Sequence, residues 1–232
     1  MKKTCSVLLI FCLILACAPA AFADQPPKNA VYELYSADGY YEDGVGNTSL
    51  YSYHVPQIHA STPDAKAINA EIADRFGKRV ESQFSSMESG CSLYSLKTEW
   101  TAYWSGSQLF LVIISELDGD SSDCAAYGYD FDTQSRITNE MILAQRGVSE
   151  EKYLENLREK VTFMFYDLVP PIPEGVKTDL TREKLLEQTL YWLDMDNPMF
   201  INQFGEIETI VKIVSLAGSG WFYAFSTPFV YG

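Results

Sequence analysis

The sequence predicts an α+β protein with a largely antiparallel sheet and packed helices, in one domain or two intimately packed halves. Three observations predict it. Helical and strand patterns come in clusters rather than strict βαβ alternation. Residues 92–104 alternate, with Tyr94, Leu96, Trp100, Ala102 and Trp104 apolar against Ser95, Lys97, Glu99 and Thr101, the pattern of a strand with one buried face. Ile68, Ile72, Phe76, Val80 and Phe84 recur every four residues, the stripe of an amphipathic helix.

The elements follow in order. Residues 30–36 alternate as a first strand. Asp38-Gly39 and residues 43–47 (DGVGN) are turn signals. Residues 49–58 form a Tyr-rich second strand with Pro56 near its end. Thr62-Pro63 starts the helix, with Thr as N-cap and Pro in the first turn. The alternating strand then turns at Gly106 into residues 109–114, apolar on both parities as in a central strand. Residues 125–132 make a third strand of this group, with Tyr127, Tyr129 and Phe131 on one side. A short helical turn over 138–144 leads to Ser149, which caps a longer helix whose apolar face is Leu154, Leu157, Val161, Met164 and Leu168. Pro170-Pro171-Ile172-Pro173 breaks it, Thr181 starts another helix through Leu193, and strands over 206–216 and 221–229 close the chain.

The N-terminus points to export. Lys2 and Lys3 precede an apolar run over 7–16, and Ala21-Phe22-Ala23 is a small-x-small cleavage site. Residues 1–23 therefore read as a secretory signal peptide and 24–29 as a disordered polar leader. Residues 30–232 are then the domain, with sub-halves 30–146 and 147–232. The protein would be periplasmic or extracellular. The alternative is lipid attachment at Cys17. The later sequence contains no apolar stretch long enough for a second membrane segment.

Charge narrows the partners. The formal net charge is −14, and loss of Lys2 and Lys3 takes it to about −16. Phosphate binding needs clustered Lys and Arg, so nucleic acid and anionic lipid are poor partners. A cationic partner suits the charge, as does a simple solvated acidic surface. Cleavage leaves Cys91 and Cys124, an even count in an oxidising compartment, and a hairpin turning near Gly106 would bring them close. One disulfide is expected.

Site chemistry is sparse. His54 and His59 differ by an odd number on a strand and have no third ligand, so no metal is expected. The run ELDGDSSD holds Glu116, Asp118, Asp120 and Asp123. It resembles part of a calcium loop but lacks the glycine at the sixth position and the acid at the twelfth, where Tyr129 stands. A solvated acidic turn fits better. No nucleophile elbow, phosphate loop, dinucleotide fingerprint or metalloprotease motif is present. No catalytic residue and no cofactor is assigned. Tyr40, Tyr41, Tyr51 and Tyr53 crowd the first two strands. Such tyrosines serve either as a binding platform or as core and cross-strand pairs. With Asp118, Asp120 and Asp123 they are the candidate binding residues.

The order of elements supports a resemblance. YSYHVPQI leads to a helix beginning AINAEIADRF, then an aromatic hairpin, a strand reading YGYDFDTQSRIT and a short helix NEMIL. Over roughly residues 30–230 this resembles the RsiV/PdaC-like extracytoplasmic domain, found in lysozyme-sensing anti-sigma factors and beside peptidoglycan deacetylase catalytic domains. The resemblance implies an α+β fold in a cell-envelope setting and no catalysis by this domain. The function expected is a secreted or envelope-associated binding domain whose partner is a cationic protein such as a lysozyme, or cell-wall glycan. The rival reading is a carboxylate-dependent cell-wall glycan hydrolase.

Overall fold

The computed structural model describes residues 27, 29–91, 95–117, 120–174, 179–216 and 220–229, without the side chains of 120–122. The residues read as a signal peptide, Cys17, Asp118 and most of the 24–29 segment lie outside the described residues. The fold is α+β, with a six-stranded and a three-stranded sheet. The six strands are β1 (Val31–Glu42), β2 (Thr48–Ile58), β3 (Leu96–Ser105), β4 (Gln108–Leu117), β5 (Asp120–Asp130) and β6 (Ser135–Ile137), and they lie in sequence order. Every pairing is antiparallel except β2 with β3, where Tyr51, Ser52 and Tyr53 meet Leu96, Lys97 and Thr98 in parallel. A parallel pair needs a crossover, and the helical segment between these strands supplies it.

That segment comprises α1 (Pro63–Ile72), a π-helical turn (Ala73–Gly77) and α2 (Lys78–Glu88). Thr62 caps it as expected, accepting from the Ala65 N–H at 3.2 Å. The π turn has a cause visible in the sequence. An apolar residue at every fourth position drifts by about 40° per step around a 3.6-residue helix. One wider turn resets the stripe, so Ile68, Ile72, Phe76 and Val80 are all fully buried. They pack on Tyr53, Val55, Leu109, Leu111, Ile113 and Tyr127, forming the core on one face of the sheet.

The second half of the chain covers part of the opposite face. It contributes α3 (Asn139–Arg146), α4 (Glu150–Leu168), α5 (Arg182–Tyr191) and the small antiparallel sheet β7 (Met199–Ile201), β8 (Ile207–Val214) and β9 (Trp221–Ser226). Phe110, Val112 and Cys124 from the large sheet share one core with Leu157, Phe165, Phe200 and Ile210. The sub-halves expected at 30–146 and 147–232 are thus joined by a common core. Ser149 caps α4 as expected. Its buried face is Tyr153, Leu157, Val161 and Phe165, while Leu168 is exposed. The expected stripe was rotated because two aromatics outbid Leu154 and Met164 for the interior, and Tyr153 anchors there by a 2.9 Å hydrogen bond to Thr209.

The parity of β3 is as read. Leu96 and Thr98 are buried on the helix side, and Trp100, Ala102 and Trp104 pack half-buried on that core. Tyr103, of the other parity, stacks on Phe200 at 4.9 Å. One expected turn is absent. β1 runs straight through Asp38-Gly39 to Glu42 and reverses only at Asp43–Asn47, where the Asp43 carboxylate accepts from the N–H groups of Val45 and Asn47 at 3.0 and 2.8 Å. Gly39 is needed within the strand because the Tyr51 ring lies on it: a Cβ there would sit 2.4 Å from Tyr51 Oη.

The two cysteines expected to pair are not bonded in this structure. The structure holds Cys91 and Cys124 as free thiols, Cys91 exposed and Cys124 buried. β3 does not extend back to Cys91. The helical segment ends in its place, with the Cys91 N–H on Ser86 O at 3.0 Å. Cys124 lies in β5 opposite Ile114, well inside the sheet. Burial pushes the Cys124 thiol up to about 12, the neighbouring Asp123 adding to the shift.

Candidate functional site

Among the described residues, the small sheet leaves β1, β2 and the near half of β3 open on the outer face. Strand alternation decides which side chains stand there. Tyr40 faces Leu50 across the β1–β2 ladder, and both are exposed, Tyr40 by 76% and Leu50 by 56%. Asp38 and Ser52 are the next cross-strand pair, followed by Ser36 and His54. On β3 and β4, Lys97 pairs with Glu116 and Glu99 with Ile114. Lys97 also bridges to Glu99 at 2.8 Å. A shallow depression of about 600 Å³ runs over Asp38, Tyr40, Leu50, Lys97 and Glu116. A second, of about 400 Å³, opens where β2 and β3 part and holds Glu33, His54, Glu99 and Trp100.

His54 sits between two carboxylates. Its Nδ1 is 3.1 Å from Glu33 and its Nε2 is 3.1 Å from Asp38. Trp100 Nε1 donates to the same Glu33 oxygen at 2.8 Å. Burial by itself would lower the imidazole pKa, but the hydrogen bonds to Asp38 and Glu33 outweigh it and raise it above the ordinary value. Burial would raise Glu33, yet hydrogen bonds from Ser36, Trp100 and His54 hold it below the usual carboxylate range. Asp38 is lowered by hydrogen bonds from Ser52 and then His54. The arrangement favours an imidazolium clamped by two anions. A glycosidase acid has the opposite character, a carboxyl held protonated by a raised pKa.

The expected site residues separate. Among the four tyrosines, only Tyr40 stands on the open face. Tyr41 Oη donates to Met87 O at 3.2 Å on the helix side. Tyr51 and Tyr53 stack at 5.1 Å, and Tyr53 packs edge-on against Phe84 at 5.3 Å. Burial pushes the Tyr53 phenol up to about 12, and its hydroxyl has no partner among the described residues. Tyr41, Tyr51 and Tyr53 are therefore packing residues. Tyr51 alone also borders the open depression.

The acidic loop also resolves differently. Asp120 opens β5 opposite Leu117. Asp123 is buried in that strand on the helix side, so it is no solvated contact residue. Its carboxylate accepts from Arg75 Nε at 3.1 Å and lies 3.2 Å from Arg79 Nη2. It also takes the Cys124 N–H at 2.9 Å. Arg75 further donates to Cys124 O at 3.0 Å. The Asp123 hydrogen bond pushes the Arg75 guanidinium upward despite burial. Arg75 lies in the π turn, which links that distortion to the fastening of the helical segment onto β5.

His54 was missed as a site residue in the sequence. Its carboxylates lie at sequence distances of 21 and 16, so only the strand register reveals them. No three His, Cys, Asp or Glu side chains gather as a metal set among the described residues. No helix among them is long and apolar enough to cross a membrane. Compared with protein-family models and with curated proteins, the chain matches none.

Proposed function

We propose that this chain is an exported, non-catalytic binding domain of the cell envelope, and that the open face of β1–β3 takes a cationic protein such as a lysozyme. The observation that carries the reading is the Tyr40–Leu50 pair standing on a sheet face that no other element among the described residues covers, beside Asp38, Lys97 and Glu116, with Glu99 bridged to Lys97. An apolar centre with a charged rim is the anatomy of a transient protein interface. The overall charge of −14 would speed encounter with a basic partner. The signal-like N-terminus and the resemblance to the RsiV/PdaC-like domain support the same setting. The carboxylate-hydrolase reading gains nothing from Glu33 and Asp38, since both are held ionised.

The test uses the mature chain and a cationic lysozyme in a surface-binding assay across salt. Binding should weaken steeply as salt rises, because screening acts beyond roughly 10 Å at 0.1 M. Tyr40→Ala with Leu50→Ala should speed dissociation. Asp38→Asn with Glu99→Gln should mainly slow association. Affinity no tighter than about millimolar at low salt rejects the partner.

A further inference from the structure

A second exposed aromatic cluster lies where the end of α5 meets β8 and β9. Tyr191 and Trp192 end that helix, 80% and 52% exposed. Trp221 starts β9 across from them. Between the indoles rises Lys212 of β8, its ammonium 4.1 Å from the Trp221 ring centre and 5.5 Å from that of Trp192. The groove over these residues measures about 700 Å³ and takes Lys184 and Glu187 into its rim. That size lies within the range of small-ligand sites.

The floor is held in place. Arg158 on α4 donates to Leu190 O at 3.2 Å and to Leu193 O at 3.3 Å, bracketing Tyr191 and Trp192. The Thr189 hydroxyl accepts from the Val214 N–H at 3.0 Å and ties α5 to β8. Ring positions fixed by backbone anchors lose little freedom when a ligand arrives.

Charge selects the ligand class. The protein is strongly acidic, yet this groove presents two ammonium groups against one carboxylate, Glu187. Among the described residues no carboxylate lies within 4.0 Å of Lys212 Nζ; its partners are the indole faces. Its charge is therefore left for an anionic group that enters the groove. Flat aromatic rings match the C–H faces of pyranoses, and an ammonium between them matches a carboxylate on the sugar. We infer that this groove is a carbohydrate site for a glycan bearing carboxylates, read by stacking on Trp192 and Trp221 and by Lys212. It is separate from the β1–β3 face.

The probes are tetragalacturonic acid and the neutral chitotetraose, titrated into the mature chain with calorimetry and tryptophan fluorescence. The acidic oligosaccharide should bind at micromolar to millimolar concentrations, at least about tenfold tighter than the neutral one. Lys212→Gln should erase that preference, and Trp192→Ala should weaken the acidic ligand by about tenfold or more. Because Trp192 is half-packed, Tyr191→Ala serves as a second variant that leaves the fold untouched and should weaken binding by severalfold. Tyr40→Ala with Leu50→Ala should change nothing here. No binding of tetragalacturonic acid, equal binding of the two probes, or a preference that survives Lys212→Gln each overturns the inference.

Discussion

The two faces of the same three strands have opposite fates. On the helix side of β1–β3, Tyr53 and Leu96 are buried, Tyr51 covers Gly39 and Tyr41 is tied to the end of α2. On the outer side, one residue away along each strand, Tyr40 and Leu50 reach solvent. Composition does not separate the sides, since tyrosine supplies both. Parity does, together with what happens to lie opposite. The helical segment packs on the inner face, whereas among the described residues the small sheet packs mainly on β3, β4 and β5 on the outer one. Aromatic residues are thus structural where a second layer meets them and available where it stops.

Large-to-small substitutions should break this contrast if it is wrong. Phe76→Ala, at the centre of the inner face and fully buried, should cost about 3–5 kcal/mol in urea unfolding. Leu50→Ala on the outer face should stay within about 0.5 kcal/mol of wild type. Similar losses at the two positions would mean that the outer face is covered in solution. Tyr53→Phe sharpens the point on the inner side. It removes a buried hydroxyl that has no partner among the described residues and should stabilise by about 1 kcal/mol.

The Arg75–Asp123 contact is the polar fastening of the inner face. Asp123 is nearly enclosed, but Arg75 keeps 41% of its side chain exposed, so water screens part of the interaction. Asp123→Asn should therefore cost about 1–3 kcal/mol, less than breaking a fully buried pair. It should leave lysozyme association unchanged, since Asp123 does not face the open side. A variant that folds normally but associates more slowly would return Asp123 to the binding surface.

Thiol reactivity reports the same inside–outside division without mutation. Cys91 should label at once in the native protein. Cys124, buried and with its thiol pushed up to about 12, should label only on unfolding. Failure of both to label after denaturation without reductant would show a disulfide in the protein.

How far the sequence reveals this depends on the range of the interaction. Local signals carried well: the Thr62-Pro63 start, the β3 alternation and the Thr181 cap each needed only neighbours a few residues away. The four-residue apolar spacing even encoded the π turn, although the spacing alone did not say where the helix would widen. Gly39 failed because a turn rule was applied to a glycine whose reason is a tyrosine ring on the next strand. Asp123 failed because its partners lie 48 and 44 residues earlier in the chain. The four tyrosines could not be sorted until the β1–β2 register showed which shared a face with the helix. The groove at Trp192 and Trp221 needed the pairing of β8 with β9, which joins residues that no sequence window holds together.

The smallest expected effect tests the His54 cluster on the open side. His54 bridges Glu33 and Asp38 across the β1–β2 ladder. A histidine whose folded pKa is raised contributes stability that is complete below its unfolded value near 6.5 and is lost as pH rises through the folded value. Glu33 and Asp38, held low, contribute stability that is present above their unfolded values near 4 and is lost as pH falls. The clamp is therefore strongest between roughly pH 4.5 and 6.5. Thermal unfolding of the mature chain should show this as a shallow maximum, with the melting temperature falling by about 1–3 °C between pH 6 and pH 8 beyond the trend of a His54→Gln variant. That difference should shrink in high salt, since the groups are mostly exposed. Identical curves for wild type and variant above pH 6 would mean that the imidazole is not charged there. If the clamp is real, the open face loses one positive charge as the pH rises from 6 to 8, and association with the proposed cationic partner should strengthen over that range in the wild-type protein and not in His54→Gln.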